Sequence, residues 1–240
     1  MTDAKKYDFS VSLLIPAYNE EENLTRNLPV MIGALDSFVN DLEVIIVDDG
    51  SVDGTVRVVE EFAAKDPRIK LVRHEKNLGP GSGIITLASL ATRDIILFLP
   101  ADIAMRLEQL PRYFDAIQNV DFVVGVSSAR SDYTPFRKLA SFVYIKFIKL
   151  LFKLPMRQFN YVNVYRREVL QKCPPTINGV FISVEMLVKA MDAGFRYAEV
   201  DVDYVPREFG VASCGKTSVI LDTIREALRF YFKKRRGRIS

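Results

Sequence analysis

Leu42-Glu43-Val44-Ile45-Ile46-Val47-Asp48-Asp49-Gly50-Ser51 is the stretch that decides the fold. A β-branched apolar run stops abruptly at two carboxylates, a glycine and a hydroxyl. Such a run reads as a strand covered on both faces, as in a parallel sheet. The acidic and small residues past its carboxyl end sit where open α/β sheets place ligands.

The neighbouring segments repeat the pattern. Val11 to Ile15, closed by Pro16, reads as a first strand, with Ala17-Tyr18-Asn19-Glu20 as the turn after it. Leu24, Leu28, Met31 and Leu35 then recur at helical spacing within a helix from about Glu21 to Phe38. Beyond the central strand, Asp53 has the character of an N-cap for a second helix with Val56, Val59 and Phe62 on its apolar face. Ile69 to Val72 is a third strand. The loop Asn77-Leu78-Gly79-Pro80-Gly81-Ser82-Gly83 feeds a helix through Ala91. Asp94 to Leu99 is a fourth strand, ending at Pro100-Ala101-Asp102. A helix from Leu107 to Ile117 and a strand from Phe122 to Val126 complete five alternations. This regularity predicts an α/β fold with a three-layer, mostly parallel sheet.

After Gly125 the pattern changes. A long helix rich in aromatics and lysines runs from Phe136 to Leu154, followed by a strand at Asn160 to Tyr165 and a helix at Val180 to Ala193. A strand at Phe195 to Val205 and a helix at Thr217 to Lys234 finish the chain. With no internal repeat and no clear linker, 1–240 reads as one domain. Residues 11–126 form its ligand-binding half, 127–216 a second half, and 217–240 a terminal helix with a basic tail.

The bulk composition is that of a soluble globular protein: 240 residues, 49% hydrophobic and 26% charged. A net charge of +3 is too small to call for a nucleic-acid partner. Cys173 and Cys214 give neither a disulfide framework nor metal-ligand spacing, which suits a reducing compartment. The first ten residues carry no apolar signal core, and no apolar run approaches the ~20 residues of a membrane span. The single histidine, His74, reads as a surface residue. The glycines from Gly79 to Gly83 do not form a P-loop, since no Gly-Lys-Ser/Thr follows.

In a parallel sheet, the ends at Pro16–Glu20, Asp48–Ser51 and Pro100–Asp102 share one edge. Carboxylates gathered there can accept bonds from ribose hydroxyls and a base, and can hold a hard cation beside a diphosphate.

IPAYNEEENL (Ile15 to Leu24), VDDGSVDGT (Val47 to Thr55) and NLGPG (Asn77 to Gly81) resemble the nucleotide-binding half of the family 2 glycosyltransferases with the GT-A fold. YVPREFG (Tyr204 to Gly210) is similar to the downstream Pro-Arg-x-x-Gly segment of the polyprenyl-phosphate sugar transferases, the dolichyl-phosphate mannose synthase group. The resemblance implies a GT-A, Rossmann-like mixed sheet with C-terminal amphipathic helices. It also implies a GDP- or UDP-sugar donor, Mg2+ or Mn2+, and transfer with inversion to a polyprenyl phosphate. Pro16, Tyr18, Glu20, Asp48 and Asp49 match positions that hold base and ribose, with Ala17, Asn77, Gly79 and Ala101 beside them. Asp102 matches the second aspartate of the metal-binding Asp-x-Asp. Arg207 matches an arginine that meets the diphosphate, so Asp102 and Arg207 are the expected catalytic pair. Arg130 and Arg137 fall near arginines that receive the acceptor phosphate; a planar guanidinium makes two parallel bonds to phosphate.

The chain departs from the family in two places. Asp-Ala-Asp-x-Gln reads Pro100-Ala101-Asp102-Ile103-Ala104, and the aspartate before the Gly-Phe-Arg segment is absent from Arg157 to Asn163. A saccharide or soluble acceptor, and a non-catalytic nucleotide-sugar-binding relative, are therefore the competing readings. An alcohol acceptor needs a general base, for which Glu185 and Asp201 are candidates. A phosphate acceptor, with a second pKa near ~6, needs none. Lys138, Lys146, Lys149 and Lys153 share one face of the long helix, with Phe136, Leu139, Val143, Phe147, Ile148, Leu150 and Leu151 over much of the rest. That profile, with the basic block Lys233 to Arg238, suits an interfacial helix and a peripheral position at the cytoplasmic face of a membrane.

Overall fold

Each apolar run becomes a strand and each stretch of helical period a helix. The computed structural model describes residues 6–128, 135–159, 161–205 and 217–237, without the side chains of 135–137 and 217–220. The strands are β1 (Val11–Ala17), β2 (Leu42–Asp48), β3 (Ile69–Arg73), β4 (Ile95–Phe98), β5 (Phe122–Ser127), β6 (Asn163–Arg166) and β7 (Tyr197–Val202). The first helices are α1 (Glu21–Phe38), α2 (Thr55–Ala63), α3 (Pro80–Leu90) and α4 (Leu110–Ile117), the last entered through a 3-10 turn at Leu107–Gln109. They are followed by α5 (Pro135–Phe152), α6 (Arg167–Lys172), α7 (Ile182–Asp192) and α8 (Thr217–Arg235).

The seven strands form one sheet in the order β3-β2-β1-β4-β6-β5-β7. The expected α/β, mostly parallel, mixed GT-A-type sheet is present. β1 pairs in parallel with β2 and β4, β2 with β3, and β5 with β7. One strand runs the other way: β6 is antiparallel to both β4 and β5. The fifth strand therefore does not lie beside the fourth.

Alternation along the strands divides the core between two faces. Leu13, Ile15, Val44 and Ile46 pack with Leu24, Leu28, Met31 and Leu35 of α1, Val58 and Val59 of α2, and Phe114 and Ile117 of α4. Leu14, Ile45 and Val47 pack on the other face with Leu87 of α3, Ile148 of α5, Leu170 of α6, Leu187 of α7 and Phe230 of α8. This gives three layers, as expected. In α2 the inward residues are Val58 and Val59, with Phe62 partly buried.

Candidate nucleotide-sugar site

Register gathers the ends of β1, β2 and β3 at one level. Ala17 lies opposite Asp48, and Asp48 opposite Arg73. The next residue on β3's side is then His74, beside Asp49. The Asp49 amide donates to the Ala17 carbonyl (2.8 Å), and the His74 amide to the Asp48 carbonyl (2.9 Å).

The two adjacent carboxylates have different tasks. Asp48 is fully buried and accepts the Ser51 amide at 3.2 and 3.3 Å. Asp49 Oδ1 accepts from His74 Nδ1 (2.7 Å) and the Leu78 amide (3.1 Å), and Oδ2 from the Gly79 amide (3.0 Å). The His74 ring reaches Thr86 Oγ1 of α3 with Nε2, at 3.0 Å. With only 12% of its side chain exposed, His74 is not the surface residue that its sequence context suggests.

The turn after β1 is clasped to the turn after β2. Asn19, at φ 55°, donates its amide to Ser51 Oγ (2.8 Å) and accepts the Val52 amide on Oδ1 (2.9 Å). Asparagine tolerates that left-handed conformation better than most residues. The Glu20 amide donates to Thr55 Oγ1 (2.8 Å), and Glu20 Oε2 accepts from Asn23 Nδ2 (2.5 Å). Asp53 binds the Thr55 amide and hydroxyl through Oδ1 (3.0 and 2.5 Å) and the Glu21 amide through Oδ2 (3.2 Å). It therefore acts in the turn before α2, while Gly54 occupies the cap position. Tyr18 stands out from this edge, 45% exposed. Pro16 faces Gly83, and Asn77 Oδ1 accepts the Gly79 amide at 3.1 Å.

The glycine-rich loop is built against protein. A Cβ at Gly81 would collide with the Ile177 carbonyl, and the Gly81 amide donates to the Asn178 carbonyl (2.8 Å). The Leu78 and Gly79 amides turn inward to Asp49. They form a wall of the site, not a phosphate cradle.

Pro100–Ala104 continues from β4 toward the same edge. The Ala101 carbonyl accepts from Asn27 Nδ2 of α1 (2.8 Å), and the Ile103 amide closes a turn on the Pro100 carbonyl (3.1 Å). The Ala104 carbonyl is held by the Tyr161 hydroxyl and by the Val205 amide (3.1 Å). Ala101 is buried and Asp102 half-buried. Among the described residues, no group of three or more His, Cys, Asp or Glu side chains is arranged to hold a metal ion. Of the expected metal motif the sequence retains one carboxylate, Asp102. That donor set fits a cation only in company with phosphate oxygens and water, a habit of magnesium.

Arg130 and Arg207 lie outside the described residues, as does the side chain of Arg137. Of the candidate bases, Glu185 is fully buried; it pairs with Lys189 (2.8 Å) and binds the Thr176 and Ile177 amides. It is a structural clasp closed off from solvent. Asp201 is exposed and paired with Arg157 at 3.0 Å. Cys173 is buried, and burial pushes its thiol pKa up, as suits an unreactive side chain; Cys214 lies outside the described residues.

α5 divides its apolar residues. Ile148 and Phe152 are buried, whereas Leu139, Phe142, Val143 and Leu150 are each more than half exposed. α8, packed near it, leaves Leu221 and Phe232 exposed in the same way. No helix among the described residues is long and apolar enough to cross a membrane.

His74 is the site residue that the sequence does not reveal. Its partners come from the residue after β2 and from α3, and the parallel register of β2 with β3 sets it beside the first of them.

Known proteins are similar to this chain over most of its length. The chain is 27% identical over 228 residues to the glycosyltransferase AglD of Haloferax volcanii, covering 91% of this chain and 35% of that one. It is 27% identical over 229 residues to the polyprenol monophosphomannose synthase of Mycolicibacterium smegmatis, covering 90% and 83%. To the dolichol-phosphate mannosyltransferase of Pyrococcus furiosus it is 30% identical over 234 residues, covering 93% and 63%. The chain thus spans about a third of the first relative and under two thirds of the last. Among solved structures, glucosyl-3-phosphoglycerate synthase from Mycobacterium tuberculosis, in complex with Mn2+, uridine diphosphate and glucosyl-3-phosphoglycerate, superposes with a TM-score of 0.67 at 17% identity, over 91% of this chain and 80% of that one. The family model described as "Glycosyl transferase family 2" matches residues 12–175. That match covers more than half of the sequence, and the chain belongs to glycosyl transferase family 2.

Proposed function

We propose that this glycosyltransferase moves a sugar from a GDP- or UDP-sugar to a polyprenyl phosphate, working as a peripheral protein at the cytoplasmic face of a membrane. The observation that carries the acceptor assignment is α5: four large apolar side chains open to solvent on a helix that also bears Lys138, Lys146 and Lys149, with Lys153 just past its end. The names of the M. smegmatis and P. furiosus relatives support the same acceptor class.

An acceptor phosphate oxygen attacks the anomeric carbon from the face opposite the diphosphate. The bond to the diphosphate oxygen breaks and the configuration inverts. The attacking phosphate is largely ionised at neutral pH, with a second pKa near ~6, so no general base is required. This agrees with a buried, paired Glu185 and an ion-paired Asp201. Asp48, Asp49, Tyr18 and Glu20, with Pro16, Ala17, Asn77, Gly79 and Ala101, form the nucleoside end of the site. Asp102 and Arg207 meet the diphosphate, and Arg130 and Arg137 the acceptor phosphate. A Mg2+ or Mn2+ ion held by Asp102 and the donor's phosphates would offset the charge that develops on the leaving group.

Calorimetric titration with UDP- and GDP-sugars, with and without Mg2+ or Mn2+, tests the donor. One donor should bind in a metal-dependent way. Asp102→Asn should remove the metal dependence, and Arg207→Ala should weaken binding by roughly 10- to 100-fold, a charge-assisted bond of about 1.5–3 kcal/mol. Turnover should require a polyprenyl phosphate. Equal transfer to a soluble acceptor would overturn the lipid assignment, and binding of no donor would favour a non-catalytic relative.

A further inference from the structure

We infer that His74 is a positioning residue for nucleotide binding, fixing Asp49 and, through Asp49, the Leu78–Gly79 wall that a nucleoside meets. The inference rests on the proposal that this sheet edge binds a nucleotide.

An ionised carboxylate only accepts hydrogen bonds and offers about four lone-pair positions. Among the described contacts of Asp49, three are taken: two on Oδ1, by His74 Nδ1 and the Leu78 amide, and one on Oδ2, by the Gly79 amide. The remaining position, on Oδ2, is directed by the other three bonds. It suits an N–H of a base or a ribose hydroxyl. Because Asp49 accepts from it, His74 carries a proton on Nδ1. Its Nε2 lies 3.0 Å from Thr86 Oγ1, and a hydroxyl can either donate or accept there. The imidazole therefore spans from the end of β2 to the second turn of α3. It sets the angle of Asp49 without touching the ligand. Removing the ring leaves Asp49 held only by two loop amides, which are themselves anchored by Asp49, so loop and carboxylate loosen together.

The first test is affinity for UDP and GDP by calorimetry, together with donor KM and kcat, in His74→Phe and His74→Asn. Phenylalanine fills the space without donating. Asparagine sets an amide nitrogen close to where Nδ1 stood. His74→Phe should raise the nucleotide Kd and donor KM by at least about tenfold, the loss expected for a charge-assisted bond, with kcat changed much less. His74→Asn should recover most of the affinity, and adding His74→Phe to Asp49→Ala should cost nothing further. Wild-type affinity in folded His74→Phe would overturn the inference. So would a His74→Asn protein as weak as His74→Phe.

The second test needs no variant. The chain has one histidine, so its ring resonances are unambiguous. The Nδ1–H signal should be present in the free protein and should shift on addition of UDP or GDP, but not of inorganic diphosphate. An Nε2–H tautomer, or no shift on saturation with a nucleotide that binds, would overturn the assignment. Wild-type protein that binds neither nucleotide would remove the proposed site itself, and this role with it.

Discussion

Gly50 follows the two aspartates at φ +75°, and a Cβ there would lie 2.6 Å from the Asn77 nitrogen and the Lys76 carbonyl carbon. Two penalties would fall on one atom: left-handed backbone, and overlap with main chain that cannot rotate away. Gly50→Ala should therefore destabilise the fold by more than about 2 kcal/mol, measured by urea denaturation. It should also weaken nucleotide affinity, because Lys76 and Asn77 lead into the Asp49-bound wall. An alanine variant with unchanged stability would mean that the loop yields freely. The same few residues mark the limit of what the sequence discloses. Asp48 and Asp49 are legible because a β-branched run has to end somewhere, and carboxylates at its end are conspicuous. That one is a buried turn anchor and the other a loop anchor is not legible, because their partners Ser51, His74, Leu78 and Gly79 are chosen by register and loop path.

Elements with strong period are readable to the residue: α1 spans Glu21–Phe38, as its spacing implies. The six-residue α6 is not, because it is too short for a helical period to emerge. β6, expected at Asn160 to Tyr165, is a strand over Asn163–Arg166, where it pairs with β4 and β5. At the far end of β2 from the ligand edge, Glu43 is buried and accepts from Ser12 Oγ (2.6 Å), the Thr92 amide (2.6 Å) and the Thr92 hydroxyl (3.0 Å), with Lys70 at 3.5 Å. Burial alone would raise its carboxyl pKa; the bonds from Ser12 and Thr92, with Lys70, outweigh burial and hold it below the ordinary value of 4.5. A depressed folded-state pKa contributes stability above the unfolded value, and that contribution is lost as pH falls through the folded one. Wild-type protein should lose stability as pH drops below about 4.5, and Glu43→Gln should flatten that part of the profile. Equal acid sensitivity in both proteins would assign the effect to other carboxylates.

At the scale of the whole molecule, one solvent face stands out as apolar and basic together. α5 and α8 leave Leu139, Phe142, Val143, Leu150, Leu221 and Phe232 in water among lysines and arginines. If this face meets lipid, each buried leucine contributes about 1.5–3 kcal/mol and each nearby basic residue about 1 kcal/mol. Leu150→Glu should then reduce co-sedimentation with anionic vesicles by about tenfold or more, and salt should weaken what remains. Unchanged sedimentation would leave the helix a surface element of an unattached enzyme. The order of the strands was beyond the sequence, since nothing in Asn163–Arg166 says which neighbours it will have. That order governs how the chain can be made. As it leaves the ribosome, β1 to β4 can assemble at once, but β5 cannot be joined to β4 until Asn163–Arg166 has emerged. Throughout the synthesis of α5, an unpaired sheet edge and an apolar helix surface are in water together. A nascent chain paused in that interval is the form most exposed to aggregation.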